Sequence, residues 1–280
     1  MSAPHLSLTD CLNQAQAQGV ARVDAQMLLL LSLERPLHER AWLLAHDRDT
    51  LTSAQQATWQ AVLQRRLNGE PVAYITGRKD FFGLTLSVDA RVLDPRPDTE
   101  TLVEWALALL PAQSTAHVLD LGTGSGAIAL ALKHARPGCT VTAGDASQAA
   151  LAVARANAAH LQLPVAFLCS HWMDAIPGSF DLIVSNPPYV ANGDPHLVAL
   201  HHEPLQALAS GADGLDDIRQ IIAQAPSRLR PGSWLLLEHG WDQAQAVQAL
   251  MRSAGLEAVQ SRQDLAGTDR CTGGHLPHST

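Results

Sequence analysis

The chain has few lysines, no paired cysteines and no long apolar run, and each shortage closes off a class of protein. Only two of the 280 residues are lysine, Lys79 and Lys133, and the formal net charge is −8. Broad, salt-driven binding to nucleic acid is therefore not expected, and any positive patch must be built from arginine. The four cysteines, Cys11, Cys139, Cys169 and Cys271, form no CxxC pair, so neither a zinc ribbon nor a disulfide framework is indicated. They suit small hydrophobes in a reduced cytoplasm. The longest apolar stretch, "MLLLL" from Met27, is far too short to span a bilayer. The opening "MSAPHLSLTD" has neither a basic start nor an apolar run and is not expected to be a signal peptide. The 13 histidines are scattered, and His201 and His202 lack a third ligand at helical spacing, so no metal site is expected.

What is present is enough for a substantial core: 46% of residues are hydrophobic and 16% charged. The length suits one large domain, or a medium one with a small companion. The first quarter reads as helices. "SLTDCLNQAQAQ" begins with Ser and Thr cap candidates, "DAQMLLLLSLER" stops before Pro36, "LHERAWLLAH" follows, and "TSAQQATWQAVLQRRLNG" opens on Thr52 or Ser53 and closes at Gly69. Apolar faces and short links predict a small bundle over residues 1–72, with no chemistry of its own. Next, "VAYITGRKDFFGLTLSVD" alternates β-formers around Gly77 and Gly83 and predicts a hairpin over roughly residues 73–90, within a linker at 73–95. In "LDPRPDTETLVEWALALL", Asp98 or Thr99 can cap the helix that follows. Arg96, between two prolines, has no local reason to be there.

From residue 96 onward the pattern predicts a second, larger domain. "HVLDLG", "TVTAGD", "VAFLCS", "FDLIVS" and "SWLLLEHG" read as strands, with "GAIALALKHA", "SQAALAVARANAAHL" and "WDQAQAVQALMRSAG" as helices. The tail supplies one or two closing strands. Continuous apolar strands alternating with helices predict an α/β fold with a doubly wound, mostly parallel sheet covered on both faces. Such sheets bind ligands at the carboxyl ends of their strands.

The first such end is "DLGTGSGA", residues 120–127. Its glycines let backbone approach a ligand at a helix N-terminus. Gly122, Gly124 and Ala127 also satisfy the dinucleotide pattern G-x-G-x-x-A. Asp145 ends the next strand, 145 − 122 = 23 positions on, where an acid grips ribose hydroxyls. A nicotinamide cofactor and S-adenosylmethionine both fit these features. Asp120 favours the second: a carboxylate repels a pyrophosphate but attracts the ammonium of a methionine moiety, by about 1 kcal/mol in water and more when partly buried. A buried Asp holding the loop's own amides is the alternative, and the two roles can coexist.

The strand "FDLIVS" ends in "NPPYV". Two prolines fix two φ angles and remove two donors, and Asn186 before them is pushed out of the helical region. Such a corner suits methylation of a planar nitrogen, whether a side-chain amide or the amine of a base. The lone pair there is delocalised, and acceptors that take both N–H hydrogens fix its orientation. Asn186 Oδ1 and the Pro187 carbonyl are two such acceptors. Tyr189 can stack on the flat face of the group. Without that chemistry, the motif would be a plain turn with a packing tyrosine.

With these motifs in place, the chain resembles the class I S-adenosylmethionine-dependent methyltransferases, a Rossmann-like seven-stranded fold, and within them the release factor glutamine methyltransferase family. The resemblance rests on "EPVAYITG" at 70–77, "PRPDTE" at 95–100, "VLDLGTGSGAIALAL", "SNPPYV", "EPLQAL" at 203–208, "LLLEHGWDQ" at 235–243 and a "DLAG…DR" ending at 264–270. It implies methylation of the glutamine in the Gly-Gly-Gln motif of class 1 peptide release factors, in the cytoplasm, with S-adenosylmethionine as donor. Carried over, Asp120, Gly122, Thr123, Gly124, Ser125, Gly126, Asp145, Trp172 and Asn186 would hold the donor. Asn186, Pro187, Pro188 and Tyr189 would hold the glutamine, with Arg96 and Glu100 on the substrate side. Residues 1–72 would dock the protein substrate and 96–280 would be catalytic. His171 stands where the family usually has an acid, His201 and His202 where it is basic or aromatic, and Asp94 where it is aliphatic. A nucleic-acid amino-methyltransferase and a ribosomal-protein glutamine methyltransferase share the corner chemistry. A binding protein that has kept the fold without activity is a third reading, against which the intact Asp120, Asp145 and Asn186 stand.

Overall fold

The computed structural model describes residues 6–278, so the first five residues of the "MSAPHLSLTD" opening lie outside it. The chain divides into two compact units, Met1–Arg78 and Lys79–Thr280.

The first unit is helical: α1 (Leu8–Ala17), α2 (Arg22–Ser32), α3 (Arg40–Ala45), α4 (Ser53–Leu67) and α5 (Val72–Thr76). Ser7 caps α1 in a reciprocal box with Asp10, and Thr52 caps α4 with Gln55, so the S/T-x-x-D/Q spacing sets both starts. Leu8, Leu12, Leu28, Leu29, Leu30, Trp59 and Val62 fill its core. The expected hairpin from residue 73 is corrected here. "VAYIT" is α5, entered from Pro71 and stopped by Gly77 in the left-handed region at φ 69. Burial of Ala73, Tyr74 and Ile75 outweighs the β-propensity of those residues.

The hairpin itself is shorter, β1 (Arg78–Phe81) and β2 (Leu84–Ser87). After it come α6 (Glu100–Leu109), β3 (His117–Leu121), α7 (Ala127–Ala135), β4 (Thr140–Asp145), α8 (Gln148–Leu161), β5 (Ala166–Cys169) and β6 (Phe180–Ser185). The chain closes with α9 (His196–Ala199), α10 (Asp216–Gln224), β7 (Leu229–Glu238), α11 (Ala244–Ser253), β8 (Glu257–Gln263) and β9 (Asp269–His275). The strand order is β5-β4-β3-β6-β7-β9-β8. Strands β5 to β7 run parallel, and β9 and β8 close the edge antiparallel. The expected doubly wound, mostly parallel seven-stranded sheet is therefore what forms.

Alternate strand residues serve opposite faces. Leu119, Ile183, Leu235 and Leu237 pack with Ile218, Ile221 and Ile222 of α10 and Val247 and Met251 of α11. Each such buried side chain contributes about 1.5–3 kcal/mol before the cost of ordering it. On the other face, Trp105 of α6 lies against Gly273 beside Leu236, so close that any Cβ at Gly273 would collide with both. The order reverses between β3 and β6, which opens a crevice at their carboxyl ends. Among the described residues, no helix is long and apolar enough to cross a membrane.

Candidate active site

A cavity of about 390 Å³ lies at that reversal, within the second unit. Gly122 and Gly124 from the turn after β3, Asp145 at the end of β4, Trp172 and Asn186 and Pro188 after β6 all line it. Four strand ends thus bring six of the predicted residues to one cavity, while Asp120, Thr123, Ser125, Gly126, Pro187 and Tyr189 do not line it.

The glycine loop works through absence of side chains. Gly122, Gly124 and Gly126 have φ of 66, 54 and 85, a region costly for any other residue. A Cβ on Gly122 would touch the Trp172 ring, and one on Gly126 would press on Leu130 and Ala154. Thr123 and Ser125 are buried and turn inward. The Thr123 amide donates to the Gly144 carbonyl at 3.0 Å, and its hydroxyl to Asp120 Oδ2 at 2.6 Å.

Asp120 is fully buried, and its Oδ2 also accepts from the Ala129 amide at 3.2 Å. It therefore ties the loop to α7, through the Thr123 hydroxyl and an α7 amide rather than through the loop's own amides. Its Oδ1 has no hydrogen-bond partner. Burial pushes the carboxyl up to about 7, against the Thr123 hydroxyl and Ala129 amide and with the charge of Asp145 adding to the rise. Asp145 is more open. Its Oδ2 accepts from the Gly124 amide at 2.9 Å and its Oδ1 from the Ser147 amide at 2.8 Å, and burial raises its carboxyl above the usual range. Each oxygen keeps a further lone pair, so the group can still accept from a pair of hydroxyls on the cavity wall.

Trp172 sits at φ 44, in the left-handed region that a bulky residue rarely adopts. Its Nε1 donates to Asp217 Oδ1 at 3.1 Å, which fixes the indole. Asp217 belongs to α10, a helix the sequence reading did not include, although Ile218, Ile221 and Ile222 carry its period. Asp217 also lines the cavity beside His171, so an acid stands there even though the position before Trp172 is histidine. His171 is exposed and meets Gln220 at 3.2 Å.

At the corner after β6, Asn186 Nδ2 donates to the Thr99 hydroxyl at 3.0 Å. Pro187 is buried, while Pro188 faces the cavity. Tyr189 packs against the core, and its hydroxyl donates to Glu238 Oε1 at 3.2 Å. Its carbonyl accepts from Gln243 Nε2 at 3.0 Å, and Val190 pairs with the 208–210 segment. The "LLLEHGWDQ" block thus clamps Tyr189 at both ends. Burial raises both the Tyr189 phenol and the Glu238 carboxyl, the latter to about 7.

The "PRPDTE" block behaves differently from expectation. Neither Asp98 nor Thr99 caps α6 with its side chain: Thr99 is buried with helical backbone, and Asp98 pairs with Arg270 at 3.2 Å. Arg96 pairs with the buried Glu203 of "EPLQAL" and, at 3.7 Å, with Asp94. Asp94 in turn meets Lys79 Nζ at 3.0 Å. Arg96 therefore has a distant reason for its place, joining two motifs. Glu100 accepts from the Phe82 amide at 3.0 Å and holds the hairpin turn. Neither Arg96 nor Glu100 lines the cavity. His201 meets the Val198 carbonyl at 2.9 Å and packs against His202.

The family model described as "Methyltransferase small domain" matches residues 99–254, and "PrmC N-terminal domain" matches 7–77. A release factor glutamine methyltransferase of Bordetella pertussis is 49% identical, covering 92% of this chain and 96% of its own. One of Xylella fastidiosa is 50% identical over 94% and 96%. Among solved structures, the T. thermophilus 16S rRNA N2 G1207 methyltransferase in complex with AdoMet and guanosine aligns over 71% of this chain and 49% of its own, with 20% identity and a TM-score of 0.54. That likeness concerns the fold. The matched catalytic model spans more than half of the chain, and near-half identity to these relatives runs over nine-tenths of it, so the chain belongs to the release factor glutamine methyltransferase family.

Proposed function

We propose that this protein methylates the side-chain amide nitrogen of the glutamine in the Gly-Gly-Gln motif of class 1 peptide release factors, with S-adenosylmethionine as donor. The observation that carries the reading is the meeting of a glycine loop, Asp145 and Asn186 on one cavity. The residues present suit the donor. Gly122 and Gly124 leave room for it, Asp145 has lone pairs free for a ribose diol, and the fixed Trp172 indole offers a flat apolar face. The orphaned Asp120 Oδ1 lies behind the loop and suits a cationic ammonium.

When bound, S-adenosylmethionine supplies an electrophilic methyl group on a sulfonium. Asn186 Oδ1 and the Pro187 carbonyl accept the two N–H groups of the target amide and turn its lone pair toward that methyl. Tyr189 limits motion of the amide plane. The N-alkylated amide is strongly acidic while it keeps its extra proton and gives it to water, so the cavity needs no strong base. The helical unit that ends at Arg78 docks the release factor and the unit from Lys79 does the chemistry, in the cytoplasm where the substrate works.

The test is transfer of labelled methyl to a release factor, with its Gly-Gly-Gln glutamine replaced by alanine as blank, and with ribosomal proteins and DNA offered separately. Label in the release factor and not in the blank is expected. Equal label in the blank, or label only in ribosomal protein or DNA, would overturn the substrate assignment.

A further inference from the structure

His239 follows β7 directly, is fully buried and has no part in the chemistry proposed above. Its Nδ1 lies 2.8 Å from the Gly240 carbonyl, and its Nε2 lies 2.7 Å from the Thr272 hydroxyl on β9. Thr272 Oγ1 is 2.7 Å from Ser261 Oγ on β8, which takes the Gln248 Nε2 donor from α11 at 2.8 Å. Gln248 Oε1 in turn accepts from Arg252 at 3.0 Å.

The two ends of this chain decide how hydrogens run along it. A guanidinium only donates, and a backbone carbonyl only accepts. Arg252 therefore claims Oε1 of Gln248 and leaves Nε2 to donate to Ser261. At the other end, the Gly240 carbonyl requires the His239 hydrogen on Nδ1. Burial disfavours a second proton on the ring, so Nε2 is left as an acceptor. Thr272 then donates to His239, and Ser261 to Thr272. Each hydroxyl has one hydrogen, and this arrangement uses both and fills every contact.

The chain ends on the clamp of the corner. The Gly240 carbonyl that takes the His239 hydrogen also accepts the Gln243 amide at 3.0 Å, and the Gly240 amide donates to Gln243 Oε1 at 2.8 Å. With Oε1 taken, Gln243 Nε2 faces the carbonyls of Tyr189 at 3.0 Å and Asp213 at 3.2 Å. A hydrogen on Nε2 instead of Nδ1 would set two lone pairs against each other at Gly240, and the 240–243 turn would have to move.

We propose that His239, with its hydrogen on Nδ1, is a positioning residue for Tyr189: it fixes the Gly240 turn from which Gln243 holds the backbone of the "NPPY" corner. The proposal rests on the methyl transfer assigned above to that corner. His239 does not line the cavity and acts through Gln243.

Two measurements test it. Nitrogen-15 spectra of the unaltered protein show which ring nitrogen of His239 carries hydrogen. Nδ1 is expected, and hydrogen on Nε2 overturns the proposal. Single-turnover methylation of a release factor, with calorimetric affinity for S-adenosylmethionine, is then compared among His239→Asn, His239→Gln and Gln243→Glu. Asparagine places an NH₂ where Nδ1–H stands. Glutamine is nearer to histidine in size but places its amide where Nε2 stands. Gln243→Glu keeps the acceptor for Gly240 and removes the donor to Tyr189. His239→Gln and Gln243→Glu should slow the methylation step by about tenfold, the scale of one hydrogen bond, with donor affinity within about twofold. His239→Asn should keep most of the rate. A glutamine variant faster than the asparagine one marks a space-filling role and overturns the proposal. So does Gln243→Glu at the unaltered rate, or a donor affinity that falls in step with the rate. A thermal melt checks folding of each; should the His239 variants unfold, the half-buried Gln243 and the ring-nitrogen assignment decide between them. An unaltered protein that leaves release factor unlabelled overturns the proposed function and this role with it. Labelling by the unaltered protein, with no loss in Gln243→Glu, overturns this role alone.

Discussion

Asn157, in the middle of α8, donates from Nδ2 to the Ser125 carbonyl at 2.9 Å and so ties a helix behind the sheet to the glycine loop. The same amide donates to the Ser87 carbonyl at 3.0 Å and accepts the Ser87 amide at 2.8 Å. One buried side chain thus fixes the loop and the end of β2 together. Asn157→Ala leaves the buried Ser125 carbonyl and the half-buried Ser87 amide and carbonyl short of partners. It should lower unfolding free energy by about 3 kcal/mol, read by urea denaturation. A change below about 0.5 kcal/mol would mean that water replaces the amide without loss.

Asp145 is the group expected on the ribose. Each charge-assisted hydrogen bond there is worth about 1.5–3 kcal/mol. Asp145→Ala should weaken S-adenosylmethionine binding at least tenfold while the protein stays folded. Calorimetry with unchanged affinity would take Asp145 out of the donor site.

Asn186→Ala should still bind the donor yet lose about 3–4 kcal/mol of transition-state stabilisation, or 10²–10³ in the rate of the methyl-transfer step. Single-turnover methylation of release factor reads this directly. Tyr189→Ala should slow the step as well. Tyr189→Phe keeps the ring but frees Glu238 Oε1, so it should fall between the two. Full activity of Asn186→Ala would reduce the "NPPY" corner to a turn.

Asp120 makes stability depend on pH. Burial raises its folded carboxyl to about 7, above its unfolded value of 3.8. Between those values the folded state holds the proton more tightly, so stability falls as pH rises from about 4 to about 7 and is flat above. Relative to Asp120→Asn, the unaltered protein should lose up to about 4 kcal/mol across that window. Urea unfolding of both proteins at pH 5 and pH 8 checks it; a parallel pH response would show that Asp120 titrates normally.

The helical unit that ends at Arg78 has its own core and no catalytic signature. Deleting it should leave donor binding nearly intact and abolish methylation of an intact release factor. Light scattering comes first, because exposed apolar surface can aggregate the truncated chain. A soluble truncation with full activity would refute the docking role.

Local sequence determined the parts of this protein whose physics is local. Helix caps at Ser7 and Thr52, the apolar strands, the glycines of 122–126 and the rigid prolines at 187–188 follow from spacing, steric limits on φ and missing donors, all within a few residues. The carboxyl-end rule then placed Asp145 and Asn186 at one crevice before any coordinates. What only the tertiary structure decided are contacts between residues far apart in the chain. Asn186 meets Thr99 across 87 positions, Arg96 meets Glu203 across 107 and Trp172 meets Asp217 across 45. Side-chain hydrogen bonds at such separations leave no period in the sequence, so Thr99 read as a cap and Arg96 as unexplained. "VAYIT" shows the same limit for the backbone: its residues prefer strand by propensity, and burial against neighbours made it helix. Propensity is worth tenths of a kcal/mol per residue, while burying one aliphatic or aromatic side chain is worth about 1.5–3 kcal/mol. Where the two disagree, the packing that forms only in the folded chain prevails.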